Sequence, residues 1–197
     1  MQPEILILAA GASSRMRGGD KLLEIVNGQP QLARITDAAL ASGCAVTVAL
    51  PPDRPARDAA LHGRAVRRVV VPNPGDGMAA SLTAGLAALH PDAPLLLLLA
   101  DLPDLSAADL AHFLQDWCRT PDLILRATAQ DGTPGHPVGF PHWAKPDLAT
   151  LTGDAGARAV LQRHRDRTRL IALPHAHATT DLDTPEAWAA WRASRGE

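Results

Sequence analysis

The chain has 197 residues, a formal net charge of −2 and only two cysteines, Cys44 and Cys118. That length suits one domain spanning residues 1–197, able to bury roughly 70% of the surface its unfolded chain exposes. The charge excludes a general nucleic-acid or membrane-surface binder, and two thiols are too few for a disulfide framework. With no basic leader, and with Leu95 to Ala100 far short of a membrane span, a cytoplasmic location is expected.

In chain order, Ile5 to Leu8 form a short apolar run of the kind buried on both faces of a parallel sheet. From Ala9 to Ser14 no side chain exceeds a hydroxymethyl group, so a ligand can approach the backbone N–H groups closely. Arg15, Arg17 and Lys21 then supply charge suited to a triphosphate, the arginines as planar forks and the lysine as a mobile point charge. The spacing is not that of a P-loop, because Leu22 follows Lys21 where a hydroxyl is needed, nor that of a dinucleotide fingerprint. On spacing alone, an ordinary strand-to-loop connection with surface cations stays open.

Gln31 to Ser42 has helical apolar spacing and ends near Gly43; Ala45 to Leu50 reads as a strand. Prolines at 51, 52 and 55 precede a short helix over Ala56 to Leu61, and Val66 to Val71 is a third strand. A helix is predicted from Gly77 to His90, and the five leucines within Pro94 to Ala100 predict a central parallel strand. Ser106 and Asp109 form a capping-box pattern for a helix reaching Trp117, followed by a strand over Asp122 to Ala127. Residues 129–146 are rich in Gly and Pro and read as loop. Helices over Asp154 to His164 and Thr184 to Ala193 flank a strand over Thr168 to Leu173. Such alternation predicts a three-layer α/β/α domain around a mostly parallel, Rossmann-like sheet, with ligands at the carboxyl ends of the strands.

That rule gathers the loops after Leu8, Val71 and Leu99. In the second, Gly77 allows close backbone approach and Ser81 lies in the first turn of a helix, although a plain turn and helix start explain the pattern equally. The third begins with Asp101, rigidly based on a buried strand as a hard Mg²⁺ ligand requires; Asp104 and Ser106 are better placed to cap the next helix. A partner carboxylate comes best from Asp181-Leu182-Asp183, whose two acids share one side if the piece is extended. His175 and His177 lack a third metal ligand and read as surface residues.

The run LAAGASSRMRGGDKLL resembles the signature of the molybdenum cofactor cytidylyltransferases and guanylyltransferases, nucleotidyltransferases with a Rossmann-like sheet. The resemblance implies that Leu8, Ala9, Ala10 and Gly11 wrap the nucleotide, that Arg15 and Lys21 hold its phosphates, and that Gly77, Met78 and Ser81 contact base and ribose. ADLP, with Asp101, and DLDTPE, with Asp183, are similar to the segments that hold the metal, here expected to be Mg²⁺. Gly135-His136-Pro137-Val138 and Gly153-Asp154-Ala155-Gly156-Ala157-Arg158 resemble acceptor-side stretches, implying roles for Gly135, His136, Asp154 and Arg158.

The expected reaction moves the NMP of an NTP onto the terminal phosphate of the molybdopterin cofactor and releases pyrophosphate, with Lys21, Arg15 and Asp101 as the catalytic set. A phosphate monoester is already nucleophilic near neutral pH, so positioning and charge neutralisation suffice. The Leu-Ala-Ala-Gly opening and the GMxxS segment resemble the cytidylyl branch, which favours CTP over GTP. Transient contact with a molybdoenzyme follows from the same resemblance. A cytidylyl- or uridylyltransferase acting on a sugar or polyol phosphate is the alternative enzyme. A non-catalytic nucleotide-binding partner of a molybdoenzyme is the alternative outside catalysis.

Overall fold

A computed structural model describes residues 1–153 and 156–196. Six strands run in one direction: β1 (Glu4–Leu8), β4 (Ala45–Leu50), β5 (Arg67–Val70), β6 (Leu95–Leu99), β7 (Ile124–Thr128) and β9 (Thr168–Ala172). With β8 (Pro134–Phe140) they form a seven-stranded sheet of order β5-β4-β1-β6-β8-β7-β9, while β2 (Ile25–Val26) and β3 (Gln29–Pro30) make a separate hairpin. β1 sits between β4 and β6 with Leu8 level with Ala49 and Leu99, so the loops leaving β1 and β6 emerge side by side.

Strand periodicity divides the core. Ile5 and Ile7 point with Leu96 and Leu98 to one face, covered by α1 (Gln31–Leu40) and α4 (Ala107–Trp117). Leu6 and Leu8 point with Leu95 and Leu97 to the other, covered by α3 (Met78–Leu86), α5 (Lys145–Ala149) and α6 (Arg158–Arg163). This is the expected mostly parallel α/β/α arrangement. Leu95 to Leu98 are completely buried, each stabilising the fold by roughly 2 kcal/mol through apolar burial. The short α2 (Pro55–Ala59) precedes β5, and the terminal α7 (Pro185–Arg195) packs Trp188 and Trp191 with Met16, Val26 and Leu182 in a third cluster.

β8 corrects the reading of residues 129–146 as loop. It lies between β6 and β7, antiparallel to both. Its glycines admit neighbours rather than make turns: a Cβ on Gly139 would stand 2.8 Å from the Trp117 ring, and one on Gly135 would overlap the Ala178 carbonyl. Pro137 falls where the β7–β8 register shifts, and there the missing N–H is tolerated. Helix ends also differ: α1 stops at Leu40, α3 at Leu86, and α6 begins at Arg158 rather than Asp154, which lies outside the described residues. No described helix is long and apolar enough to cross a membrane.

Candidate active site

The loop after β1 is braced from below. Ser13 and Arg17 adopt left-handed backbone conformations on either side of a short 3-10 turn, and buried Met16 anchors that turn in the α7 cluster. Arg57 of α2, fully buried, donates to the Ala9 carbonyl at 2.6 Å, to Ser13 Oγ at 3.0 Å and to both oxygens of Asp20 at 2.7 and 2.9 Å. Burial alone would raise the Asp20 pKa, but the Arg57 hydrogen bond and charge, with the Leu22 N–H and Arg54, leave it below the usual carboxylate value. One guanidinium thus ties the end of β1, the small-residue turn and the residue preceding Lys21 into a unit. Neither Asp20 nor Arg57 was singled out from the sequence, because an arginine in a proline-flanked surface-type helix carries no burial signal.

Lys21 reaches across to two distant acids. Its Nζ lies 2.5 Å from Asp101 Oδ2 and 2.6 Å from Asp183 Oδ1, while Arg15 reaches Asp183 Oδ2 at 2.5 Å. Burial would depress the Lys21 pKa, but the charges and hydrogen bonds of Asp101 and Asp183 outweigh it and hold the ammonium. Asp101 Oδ1 is buried without a hydrogen-bond partner among the described residues. Asp181, beside them, has its pKa raised by burial and by the charges of Asp101 and Asp183. Residues that brace the Asp101 loop also escaped the sequence reading. Gln31 donates to the Ala100 carbonyl at 2.9 Å, and Arg34 to the Leu102 and Leu105 carbonyls at 2.7 and 2.8 Å. A Gln and an Arg three apart on an otherwise apolar helix face were the available signal. Asp104 binds Trp191 Nε1 and Arg195 at 3.0 Å; the cap of α4 is Ser106 with Asp109, as the pattern predicts.

Above these groups opens a cleft of about 400 Å³ whose lining includes Leu8, Ala9, Ala10, Gly11, Lys21, Gly77, Met78, Ser81 and Asp101. Every expected nucleotide-side residue lies on it except Arg15, which stands beside it on Asp183. Gly77 adopts φ 89° and ψ −174°, a backbone region open essentially only to glycine. A Cβ on Gly11 would meet nothing within 4 Å, so the fold itself does not demand glycine there. Its effect is to leave the cleft floor open to a ligand.

The expected acceptor-side residues are partly gathered. In the β6–β8 register, Leu97 pairs with Val138, which puts Gly135 and His136 at the edge of the sheet from which Asp101 emerges. Burial, and then the charge of Arg126, push the His136 pKa down to about 4 against the opposing pull of Asp101. Arg158 lies farther out, on a second cleft of about 360 Å³ that it shares with Arg126. Arg126 was not anticipated. His177 is engaged by Asp109, with Nδ1 2.9 Å from Oδ2.

Comparison with known proteins gives the family. Residues 5–168 match the MobA-like NTP transferase domain. A relative from Paenarthrobacter nicotinovorans named nicotine blue oxidoreductase is 30% identical over 188 residues, 92% of either chain. The crystal structure of Rv0371c from Mycobacterium tuberculosis H37Rv superposes with a TM-score of 0.84 at 29% identity, covering 97% of this chain and 98% of that one. Rv0371c has also been crystallised as a manganese complex, at a TM-score of 0.81, 27% identity and coverage of 98% and 100%. A CMP-2-keto-3-deoxy-manno-octonic acid synthetase complexed with CTP, 16% identical with a TM-score of 0.77 over 100% of this chain and 99% of its own, shares the fold. Since the family match spans residues 5–168, most of the chain, the chain belongs to the MobA-like NTP transferase family and is a nucleotidyltransferase.

Proposed function

We propose that this enzyme transfers the NMP of an NTP, CTP in preference, onto the terminal phosphate of a molybdopterin-type acceptor and releases pyrophosphate. The observation that carries the reading is the convergence of three separate stretches of chain on Lys21, which lines the glycine-bearing cleft with Asp101 and holds Asp101 at 2.5 Å and Asp183 at 2.6 Å. The donor set suits a hard cation: two carboxylates, one with a buried oxygen that has no hydrogen-bond partner among the described residues. Asp101 and Asp183 would hold Mg²⁺, which when bound supplies charge neutralisation across the reacting phosphates.

The remaining work falls to the chain's own groups. Ala9, whose N–H is held by the Ala49 carbonyl at 2.9 Å, anchors the turn; the backbone N–H groups of Ala10 and Gly11 receive phosphate oxygens, and Ser81 and Met78 flank the nucleoside. Lys21 keeps its proton in this setting and neutralises charge on the α-phosphate; Arg15, largely exposed and resting on Asp183, holds the departing pyrophosphate. Gly135 and His136 border the acceptor's entry, with Arg158 beyond them; Asp154, expected on the same side, lies outside the described residues. Within this reading, residues 1–197 act as one nucleotidyltransferase domain.

The test is a thermal-shift series with CTP, GTP, UTP and ATP plus Mg²⁺, followed by pyrophosphate release in the presence of molybdopterin. CTP should stabilise most, because ligand binding to the folded state raises apparent stability with affinity. Preferential stabilisation by GTP overturns the base assignment; undiminished pyrophosphate release by Asp101→Asn overturns the metal assignment. The oxidoreductase named among the relatives supplies a second reading. Turnover of nicotine blue by the protein, with no pyrophosphate formed from any NTP, would favour it.

A further inference from the structure

The second cleft has a charge arrangement that the fold does not require. Arg126 is half-buried on β7, and its only hydrogen bond among the described residues is a long one, 3.3 Å from Nε to the Gly135 carbonyl. A guanidinium offers five N–H donors, so most are left over. The cleft's other charges are cations, Arg158, whose charge acts on Arg126, and Arg165, which pairs with Asp166; among the described residues neither Arg126 nor Arg158 has a carboxylate partner. Other part-buried arginines are either matched with an acid, Arg57 with Asp20, Arg64 with Asp37 and Arg192 with Glu24, or held by several short hydrogen bonds, as Arg34 is by Gln31 Oε1 and the Leu102 and Leu105 carbonyls. Burial and the Arg158 charge both depress the Arg126 pKa, a sign that the pair is costly in the unliganded protein. Gln162 and Thr168 add neutral hydrogen-bonding groups to the same wall.

We propose that Arg126 and Arg158 form an oxyanion-binding subsite, distinct from the nucleotide cleft, that receives an anionic group of the acceptor. The proposal rests on the reading that the acceptor enters past His136, which follows Gly135, whose carbonyl Arg126 contacts at 3.3 Å, and which the β6–β8 register puts at the edge of the sheet from which Asp101 emerges. An oxyanion there would accept from both guanidiniums and cancel their repulsion, so acceptors carrying such a group are selected over neutral analogues.

The experiment is a phosphate titration followed by thermal shift on the full chain, with the nucleotide cleft saturated by Mg²⁺ and a non-hydrolysable CTP analogue. Inorganic phosphate should raise the melting temperature of the wild type. Arg126→Met and Arg158→Met should each weaken the apparent phosphate affinity by about tenfold or more, the loss expected from one charge-assisted hydrogen bond. Arg158→Met, at an exposed position, should not lower the melting temperature without phosphate, which keeps the test decisive even if Arg126→Met folds poorly. A wild type indifferent to phosphate, or titrations unchanged in both variants, overturns the proposal. Failure of the CTP analogue to shift the wild type would instead sink the transferase reading, since the phosphate response is read separately.

Discussion

At the scale of single residues, the arginine beneath the phosphate-type loop matters most for stability. Arg57→Met leaves the Asp20 carboxylate buried without its main counter-charge, a change expected to cost about 3–5 kcal/mol near neutral pH. The sign of its pH dependence follows. In the wild type the Asp20 pKa is depressed, so its stabilisation is present above the unfolded carboxylate value and is lost as pH falls through the folded one. In the variant the bare carboxyl is pushed up and can neutralise itself, so the gap to wild type narrows toward pH 4; urea melts at pH 4.5 and 7.5 measure it. His136 works in a different window. Its folded pKa of about 4 lies below the unfolded value near 6.5, so the folded state loses stability as pH drops from about 6.5 toward 4. Replacing it with Asn should flatten that limb of the urea-midpoint profile. For catalysis, Lys21→Met should lower kcat by about 10² to 10³, by analogy with loss of an oxyanion donor, as read by pyrophosphate release.

Among the elements, β6 and β8 mark the limits of what sequence patterning can report. Five consecutive leucines announce β6, because only a strand covered on both faces uses such a run. β8 carries two prolines and two glycines, the residues that punctuate loops, and its identity rests on long-range contacts with Trp117 and Ala178 that no local pattern contains. Gly139→Ala therefore tests the strand directly. Its Cβ would crowd the Trp117 ring, a fit that should cost about 1–3 kcal/mol by overpacking, visible in denaturant midpoint at unchanged m-value. The terminal helix was readable from Thr184 and Pro185, and Thr184 Oγ1 indeed accepts from the Ala187 N–H at 3.2 Å. That its tryptophans would clamp Met16, and with it the phosphate-type loop, was not.

Across the whole molecule, a net charge of −2 conceals a strongly local distribution, with cations gathered around clefts at one edge of the sheet and its flank. The strand-end rule foresaw which loops meet, and the register of β1 with β4 and β6 brings them together. The meeting of Asp101 with Asp183 was legible only through likeness to a known signature, since the acids are 82 positions apart (183 − 101) and no periodicity links them. The supporting groups Gln31, Arg34, Asp20 and Arg57 stayed hidden because their value lies in the carbonyls and carboxylates they meet after folding.

The ammonium that spans Asp101 and Asp183 makes the resting protein its own competitor for divalent ions. An incoming ion has to evict a bound positive charge, and eviction becomes easy once a triphosphate offers that charge somewhere else to go. Manganese titrated alone, followed by its paramagnetic resonance signal, should therefore bind weakly and tighten on addition of CTP. By thermodynamic reciprocity, the nucleotide should gain affinity by the same factor when the ion is present.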